Sequence, residues 1–207
     1  MRYTWPKKKL CRREWINLFG TEKYDLSNSK RTLLKSKKSS EFWVQLRKKQ
    51  LSKRMFGLSE KQFIAYYKKA VKSKAEWTTW DKMLRFLELR LDNVVYRANF
   101  ARTRMQARQF VSHAHFKVNW VKVSVPSIAL KVWDVIELRD QLKESPLYKS
   151  LIEELEEFSK KNKWTVTKTK WIEVDSKNIK ITIKALPEKE DFDQIVDIQK
   201  IIEFYSK

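Results

Sequence analysis

The chain has 207 residues, with 46 Lys plus Arg against 25 Asp plus Glu, a formal charge of +21. That length suits one or two small domains, and the 42% of hydrophobic residues is enough for a core, while the charge excess disfavours an isolated compact monomer and points to a polyanionic partner. No apolar run approaches the roughly 20 residues of a membrane span, the start MRYTWPKKKLCRREW lacks the apolar centre of a signal peptide, and the single Cys11 excludes an internal disulfide.

The charge is unevenly placed. Residues 1–54 hold 17 basic and 4 acidic residues, residues 150–207 hold 11 and 12, and the stretch between them carries +9. By charge, the N-terminal quarter is the most suited to RNA and the C-terminal quarter to a protein neighbour.

Residues 1–40 show little periodicity. LCRREWINLF (Leu10 to Phe19) predicts a short helix in a basic arm that either stays disordered or orders on RNA, with Arg2, Lys7, Lys8, Lys9, Arg12 and Arg13 on phosphates. Residues 41–75 are helical by pattern: Phe42 and Leu46 begin one helix, Gly57 stops it, and Ser59 with Gln62 forms a capping box opening EKQFIAYYKKAVK. Thr79 or Asp81 is expected to cap a third helix running through Leu91, and Phe63, Tyr66, Tyr67 and Phe86 read as core.

The stretch from Arg90 to Asp140 organises the rest. Leu91, Val94 and Val95 make one apolar stripe, and Met105, Phe110 and Val111 a second. The polar side is cationic, with Arg97, Arg102, Arg104 and Arg108 expected to face outward, and Thr103 and Gln106 can cap the second helix. The period then changes from about 3.6 to 2, and Phe116 to Val125 reads as a β-hairpin around Asn119-Trp120. Two short helices followed by a basic hairpin make a compact surface for a phosphate backbone. Further on, Leu147 to Lys161 reads as an acidic helix, Thr165 to Asp175 and Asn178 to Leu186 as strands, Ala185 to Phe192 as a loop and Ile195 to Lys207 as a final helix. The predicted class is α+β: a basic arm over 1–45, a mostly helical domain over 46–89 completed by the C-terminal helix within 190–207, and an inserted domain of helices plus a small antiparallel sheet over 90–189.

Little suggests catalysis. His113 and His115 lack the further ligands a metal needs. Glu153, Glu154, Glu156 and Glu157 read more simply as a solvated helix face than as a carboxylate site, and Gly20 and Gly57 cannot build a phosphate loop. The expectation is a protein that is not an enzyme and has no cofactor and no metal.

RLDNVVYR (Arg90 to Arg97), FARTRMQARQFVSHAHF (Phe100 to Phe116) and the VxVPS run at Val123 to Ser127 resemble the RNA-binding domain of the small-subunit ribosomal protein S-four family. Related copies occur in pseudouridine synthases, heat-shock RNA-binding proteins and a tyrosyl-tRNA synthetase appendage. The start resembles the family's RYTGPxxKLxRR, MFGLSEKQF its YGxSEKQF, and WIEVD, ALPEKEDF and IIEFYSK its C-terminus. These matches span both ends and the middle in order. A pseudouridine synthase would need a further catalytic domain, for which no room is expected. Some family members fold the arm on a four-cysteine zinc site, and with Cys11 alone none is expected here.

The resemblance implies a primary binder of small-subunit rRNA at a junction in the 5′ domain that nucleates assembly of the subunit body. It also implies one copy per subunit, a neighbour in ribosomal protein S-five, nearness to mRNA where it enters, a share in decoding accuracy and no membrane partner. Some members repress their own operon. The expected compartment is the ribosome of the bacterial cytoplasm or of a mitochondrion, and the rival class is a free-standing RNA chaperone or translational repressor. Charge and resemblance together nominate Arg2, Lys7, Lys9, Arg12, Arg13, Arg97, Arg102, Thr103, Arg104, Gln106, Arg108, Gln109, His113, His115, Lys117 and Lys122 for rRNA contact. Glu188, Glu190, Asp191 and Asp193 are nominated for a protein neighbour, or equally for packing within the domain.

Two glycines is far below the roughly 14 of average usage, and nine tryptophans is high. Trp120 follows Asn119 where a hairpin prefers Asn-Gly. Trp133 stands where the family has a turn glycine. Trp5, Trp15 and Trp43 also fall on family glycines, and Trp77 and Trp80 lie in a linker that usually contains one. Trp171 looks like the family's own tryptophan, and Trp164 has no clear counterpart. A non-glycine residue in the left-handed region costs about 1–2 kcal/mol, so several such turns would approach the roughly 5–15 kcal/mol that stabilises a whole domain. Two readings stand: genuine tryptophans in a fast-evolving organellar gene, or UGA codons that the cell reads as glycine.

Overall fold

The computed structural model describes residues 6–14, 16–19, 40–74, 76–151, 153, 170–175, 178–193 and 197–206. In chain order the helices are α1 (Lys7–Glu14), α2 (Glu41–Met55), α3 (Glu60–Lys72), α4 (Thr79–Glu88), α5 (Leu91–Arg97), α6 (Arg104–Ser112), α7 (Asp140–Lys143) and α8 (Ile198–Ser206). The strands are β1 (Phe116–Val118), β2 (Val121–Lys122), β3 (Val135–Leu138), β4 (Ile172–Asp175) and β5 (Lys180–Ile183). The fold is mixed α+β and forms two compact units, residues 1–83 with 193–207 and residues 84–192. Most of the expected acidic helix after Leu147 and the strand residues 165–169 lie outside the described residues.

The first unit is helical, and its caps follow the local sequence. Ser40 Oγ accepts from Trp43 N at 3.4 Å to start α2. Ser59 and Gln62 exchange both bonds of a capping box at α3, 3.3 and 3.2 Å. Gly57, at φ 60°, ends α2, where Leu58 N reaches back to Lys53 O and Gly57 N to Arg54 O, the paired closure of a Schellman turn. α2 and α8 pack through Phe42 and Phe204, ring centroids 5.5 Å apart, and Gln45 donates to Glu203 at 3.1 Å. Tyr67 stacks on Tyr205 at 5.0 Å beside the fully buried Phe63. The short helix expected over Leu10 to Phe19 lies earlier, as α1, with Cys11 and Glu14 turned inward. The buried Glu14 carboxylate receives Arg47 at 2.6 Å and also Arg54.

Two expectations for α4 are corrected. The side-chain cap is Thr78, whose Oγ1 accepts from Asp81 N and donates to the Asp81 carboxylate. The helix stops at Glu88 instead of running through Leu91. The reason is a competing partner, since Leu91 N and Asp92 N donate to Ile128 O and Pro126 O, and Arg90 bridges Ala129. The VPSIA segment takes the N–H groups that a continuous helix would have used.

In the second unit the strands form one antiparallel sheet in the order β2-β1-β3-β5-β4. Leu91, Val94 and Val95 of α5, with Ala107, Phe110 and Val111 of α6, share one core with Phe116, Ile136, Leu138, Trp171, Ile181 and Ile183 of the sheet side. The hairpin closes where expected, with Val118 opposite Val121 and Asn119 and Trp120 at φ 46° and 65°. Positive φ at both central residues is the type I′ turn, whose twist matches that of the flanking strands. β3 was not expected from the sequence, yet it is the central strand, pairing β1 on one edge and β5 on the other.

Candidate nucleic-acid interface

α6 begins at Thr103, whose Oγ1 accepts from Gln106 N at 3.1 Å, while Gln106 Oε1 accepts from Arg102 N at 2.9 Å. This variant of the capping box fixes the first turn. Arg104 and Arg108 are four residues apart and therefore share a face.

Two buried carboxylates organise this face. Asp92 grips Arg90 side-on, with Nε to Oδ1 at 3.0 Å and Nη2 to Oδ2 at 2.8 Å. Its Oδ2 also accepts from Arg108, Nε at 2.8 Å and Nη2 at 2.7 Å. Glu88 grips Arg97 the same way, at 3.0 and 2.8 Å. It also accepts from Asn93 Nδ2 at 2.6 Å, and Asn93 Oδ1 in turn accepts from Arg104 Nε at 2.9 Å. The Arg104 guanidinium stands over the Tyr96 ring, 4.5 Å from its centroid. Pairing of this kind fixes each planar fork in one orientation, which matters for recognising a second planar or tetrahedral anion.

The nominated residues separate into groups. Arg102, Gln109, His113 and Lys122 are exposed, and Thr103, Arg104, Gln106, Arg108, His115 and Lys117 are half-buried around them. Arg97 does not face outward as expected. Its side chain is 3% exposed and belongs to the Glu88 pair. Helical spacing placed it on the polar side, but a buried acid on the preceding helix draws it in.

On the hairpin, Lys117 stands directly opposite Lys122. Like charges in that register repel. Asp140 offsets one of them, 2.6 Å from Lys117, while Lys122 has no ion pair among the described residues. His115 is held below its ordinary pKa by burial, with the charges of His113 and Arg139 adding to the effect. It shares a 2.7 Å hydrogen bond at Nδ1 with the Tyr148 hydroxyl, whose own pKa burial raises. Both shifts favour the uncharged forms of the pair.

In the first unit α1 presents Lys9, Arg12 and Arg13 to solvent, while Lys7 lies half-buried over the Phe19 ring at 5.4 Å. Arg2 lies outside the described residues. Burial raises the pKa of Cys11 and keeps it a thiol. Among the described residues no three His, Cys, Asp or Glu side chains gather as a metal site would require, and no helix is long and apolar enough to cross a membrane.

The acidic residues nominated for a protein neighbour hold local structure. Glu188 and Asp191 cap a 3-10 turn (Lys189–Asp191) reciprocally, and Glu190 pairs with Lys170 at 3.2 Å on the surface. Asp193 is half-buried in the first unit.

Sequence reasoning missed Glu88, Arg90, Asp92 and Asn93 as a working set. The available signal was an acid and an amide within the apolar LDNVV run, too costly to bury unless partnered.

Two family profiles match the chain from its start into β3. Residues 2–88 match the Ribosomal protein S4/S9 N-terminal domain and residues 89–136 the S4 domain. The small ribosomal subunit protein uS4 of Heliobacterium modesticaldum is 40% identical over 216 residues, covering all of this chain and 99% of the relative. Those of Caldicellulosiruptor saccharolyticus and Thermotoga petrophila are 40% and 39% identical with the same coverage. Full-length identity of this order, with both domains matched in sequence, means that the chain belongs to the uS4 family of ribosomal proteins.

Proposed function

We propose that this protein is a structural, rRNA-binding component of the small ribosomal subunit and carries out no catalysis of its own. The observation that carries the reading is the pair of arginines on α6, each oriented by a group anchored on α5. Rigid cations recognise the shape of folded RNA, and their binding releases condensed counterions, so affinity falls steeply with salt. α1 supplies a second basic face through Lys9, Arg12 and Arg13.

The finer reading rests on family likeness and on this charge distribution. The protein binds small-subunit rRNA early, at a junction of helices in the 5′ domain, and so nucleates assembly of the subunit body. It stands as one copy per subunit, beside ribosomal protein S-five and near the mRNA as it enters, and contributes to decoding accuracy. The rRNA-facing set is Arg102, Thr103, Arg104, Gln106, Arg108, Gln109, His113, His115, Lys117 and Lys122, with Arg2, Lys7, Lys9, Arg12 and Arg13 from the arm. The acidic turn at Glu188 to Asp193 is the candidate surface for the protein neighbour. The bacterial character of the relatives favours a bacterial ribosome.

The test is quantitative mass spectrometry of salt-washed small subunits, combined with filter binding of the full chain to a transcript of the rRNA 5′ domain. One copy per subunit and tight, salt-dependent binding are expected. Absence from mature subunits would refute the reading.

A further inference from the structure

Trp120 and Trp133 both occupy backbone positions that favour glycine. Trp120 is the second central residue of the type I′ hairpin turn, at φ 65°. Trp133 is the third residue of the turn from Lys131 to Asp134, closed by Asp134 N to Lys131 O at 3.2 Å, and has φ 71°. Positive φ at that place is the signature of a type II turn, where a side chain collides with the backbone and glycine does not.

Positive φ alone does not make the case, because Asn99, Ala114, Asn119 and Ile179 share it. Asparagine tolerates the region. Ala114 and Ile179 are 6% and 2% exposed, so surrounding packing compensates for their strain. Trp120 and Trp133 differ from all four. These residues are 79% and 72% exposed, and their indoles are large apolar groups set in water at turn tips. No burial offsets the strain at either position.

The rest of each turn is well built. Asn119 Oδ1 accepts from Val135 N at 3.0 Å, Asn119 Nδ2 donates to Asp134 at 2.9 Å, and Asp134 Oδ2 accepts from Lys131 N at 2.7 Å. Trp133 N donates to Ile183 O at 2.8 Å. Every neighbour fits a glycine turn, and only the side chain does not.

Trp171 is the internal control. It is 1% exposed, sits in the core of the second unit and has no positive φ. Composition agrees with this division, since a chain of 207 residues with two glycines and nine tryptophans is short of the one and rich in the other.

We infer that residues 120 and 133 are glycine in the protein as its own cell makes it, each specified by a UGA codon that this cell reads as glycine and that other codes read as tryptophan. Trp171 is a true tryptophan with the ordinary UGG codon. The hairpin tip beside Lys122 is then bare backbone, which lets an RNA strand approach where an indole would hold it off.

The experiment is peptide mass spectrometry on the protein isolated from the cells that carry the gene, with the gene's codons 120, 133 and 171 read alongside. Glycine at 120 and 133 on UGA codons, with tryptophan at 171 on UGG, is the expected result. Tryptophan at either turn in the native peptides, or UGG at either codon, overturns the inference.

Discussion

Arg108 sets both Nε and Nη2 against one oxygen of Asp92, at 2.8 and 2.7 Å, although sixteen residues separate them. Asp92 is already committed to Arg90, so a single carboxylate serves one buried and one half-exposed guanidinium. The two partners are therefore unequal. Asp92→Asn takes the carboxylate charge away from the buried Arg90–Asp92 pair, in which Arg90 is 4% exposed, and breaking such a pair costs about 3–5 kcal/mol. Arg108→Ala leaves the Arg90 pair intact and removes a side chain that is 23% exposed, for about 1 kcal/mol. Urea denaturation of the two variants measures the order, and equal midpoints would show that Asp92 is not the anchor.

RNA binding separates the roles differently. Arg104→Ala with Arg108→Ala removes two cations from one helix face and leaves the buried pairs in place. If both contact phosphates, the slope of log affinity against log salt falls by about 2. Arg97→Lys is the contrast, because that side chain lies in the Glu88 pair and its loss acts on stability and not on slope. Filter binding over a salt series reads both, and an unchanged slope in the double variant would mean that α6 does not face RNA.

The features legible in the sequence were those with local causes. The Ser59 box, the Gly57 stop, the Thr103 cap and the Asn119-Trp120 turn each depend on residues within a few positions of one another. Apart from the Thr78 cap of α4, what escaped depended on partners beyond that reach. The break between α4 and α5 needs Pro126 and Ile128, and the inward turn of Arg97 needs Glu88 on the previous helix. β3 is four residues long, and its alternation of Ile136 and Leu138 inward is too short to register beside the Trp133-Asp134 turn. At the basic face the residue types were legible but their orientation was not, because orientation is set by the acids beneath.

Glu60 links α3 to α2 and α8 and predicts an acid dependence. Burial pushes its carboxyl up, but hydrogen bonds from Lys49, Lys53 and Tyr205 outweigh this and bring it from 4.5 down to about 2. A carboxylate with a depressed folded-state pKa stabilises the fold fully above its unfolded value, and that contribution disappears as pH falls from about 4.5 through 2. The side chain is 38% exposed, so solvent screening keeps the effect modest. Glu60→Gln is expected to flatten the fall of Tm over that window. A parallel curve for the variant would show that the three donors do not act on this group.

The turn tryptophans give the last prediction, which needs only recombinant protein. A non-glycine residue at positive φ costs about 1–2 kcal/mol, so Trp120→Gly with Trp133→Gly should stabilise the chain by roughly 2–4 kcal/mol. For a chain of this size that is a rise in Tm of several degrees. Glycine also widens the unfolded ensemble, which opposes the gain and makes an increase the more telling. Trp171→Gly is the opposite case, since removing a buried aromatic costs at least the roughly 3–5 kcal/mol of a Trp-to-Ala change. Differential scanning fluorimetry on the three variants reads the contrast. A double-turn variant that melts no higher than the parent would mean that the hairpin and the Lys131 to Asp134 turn carry their indoles without strain, and that neither position favours glycine.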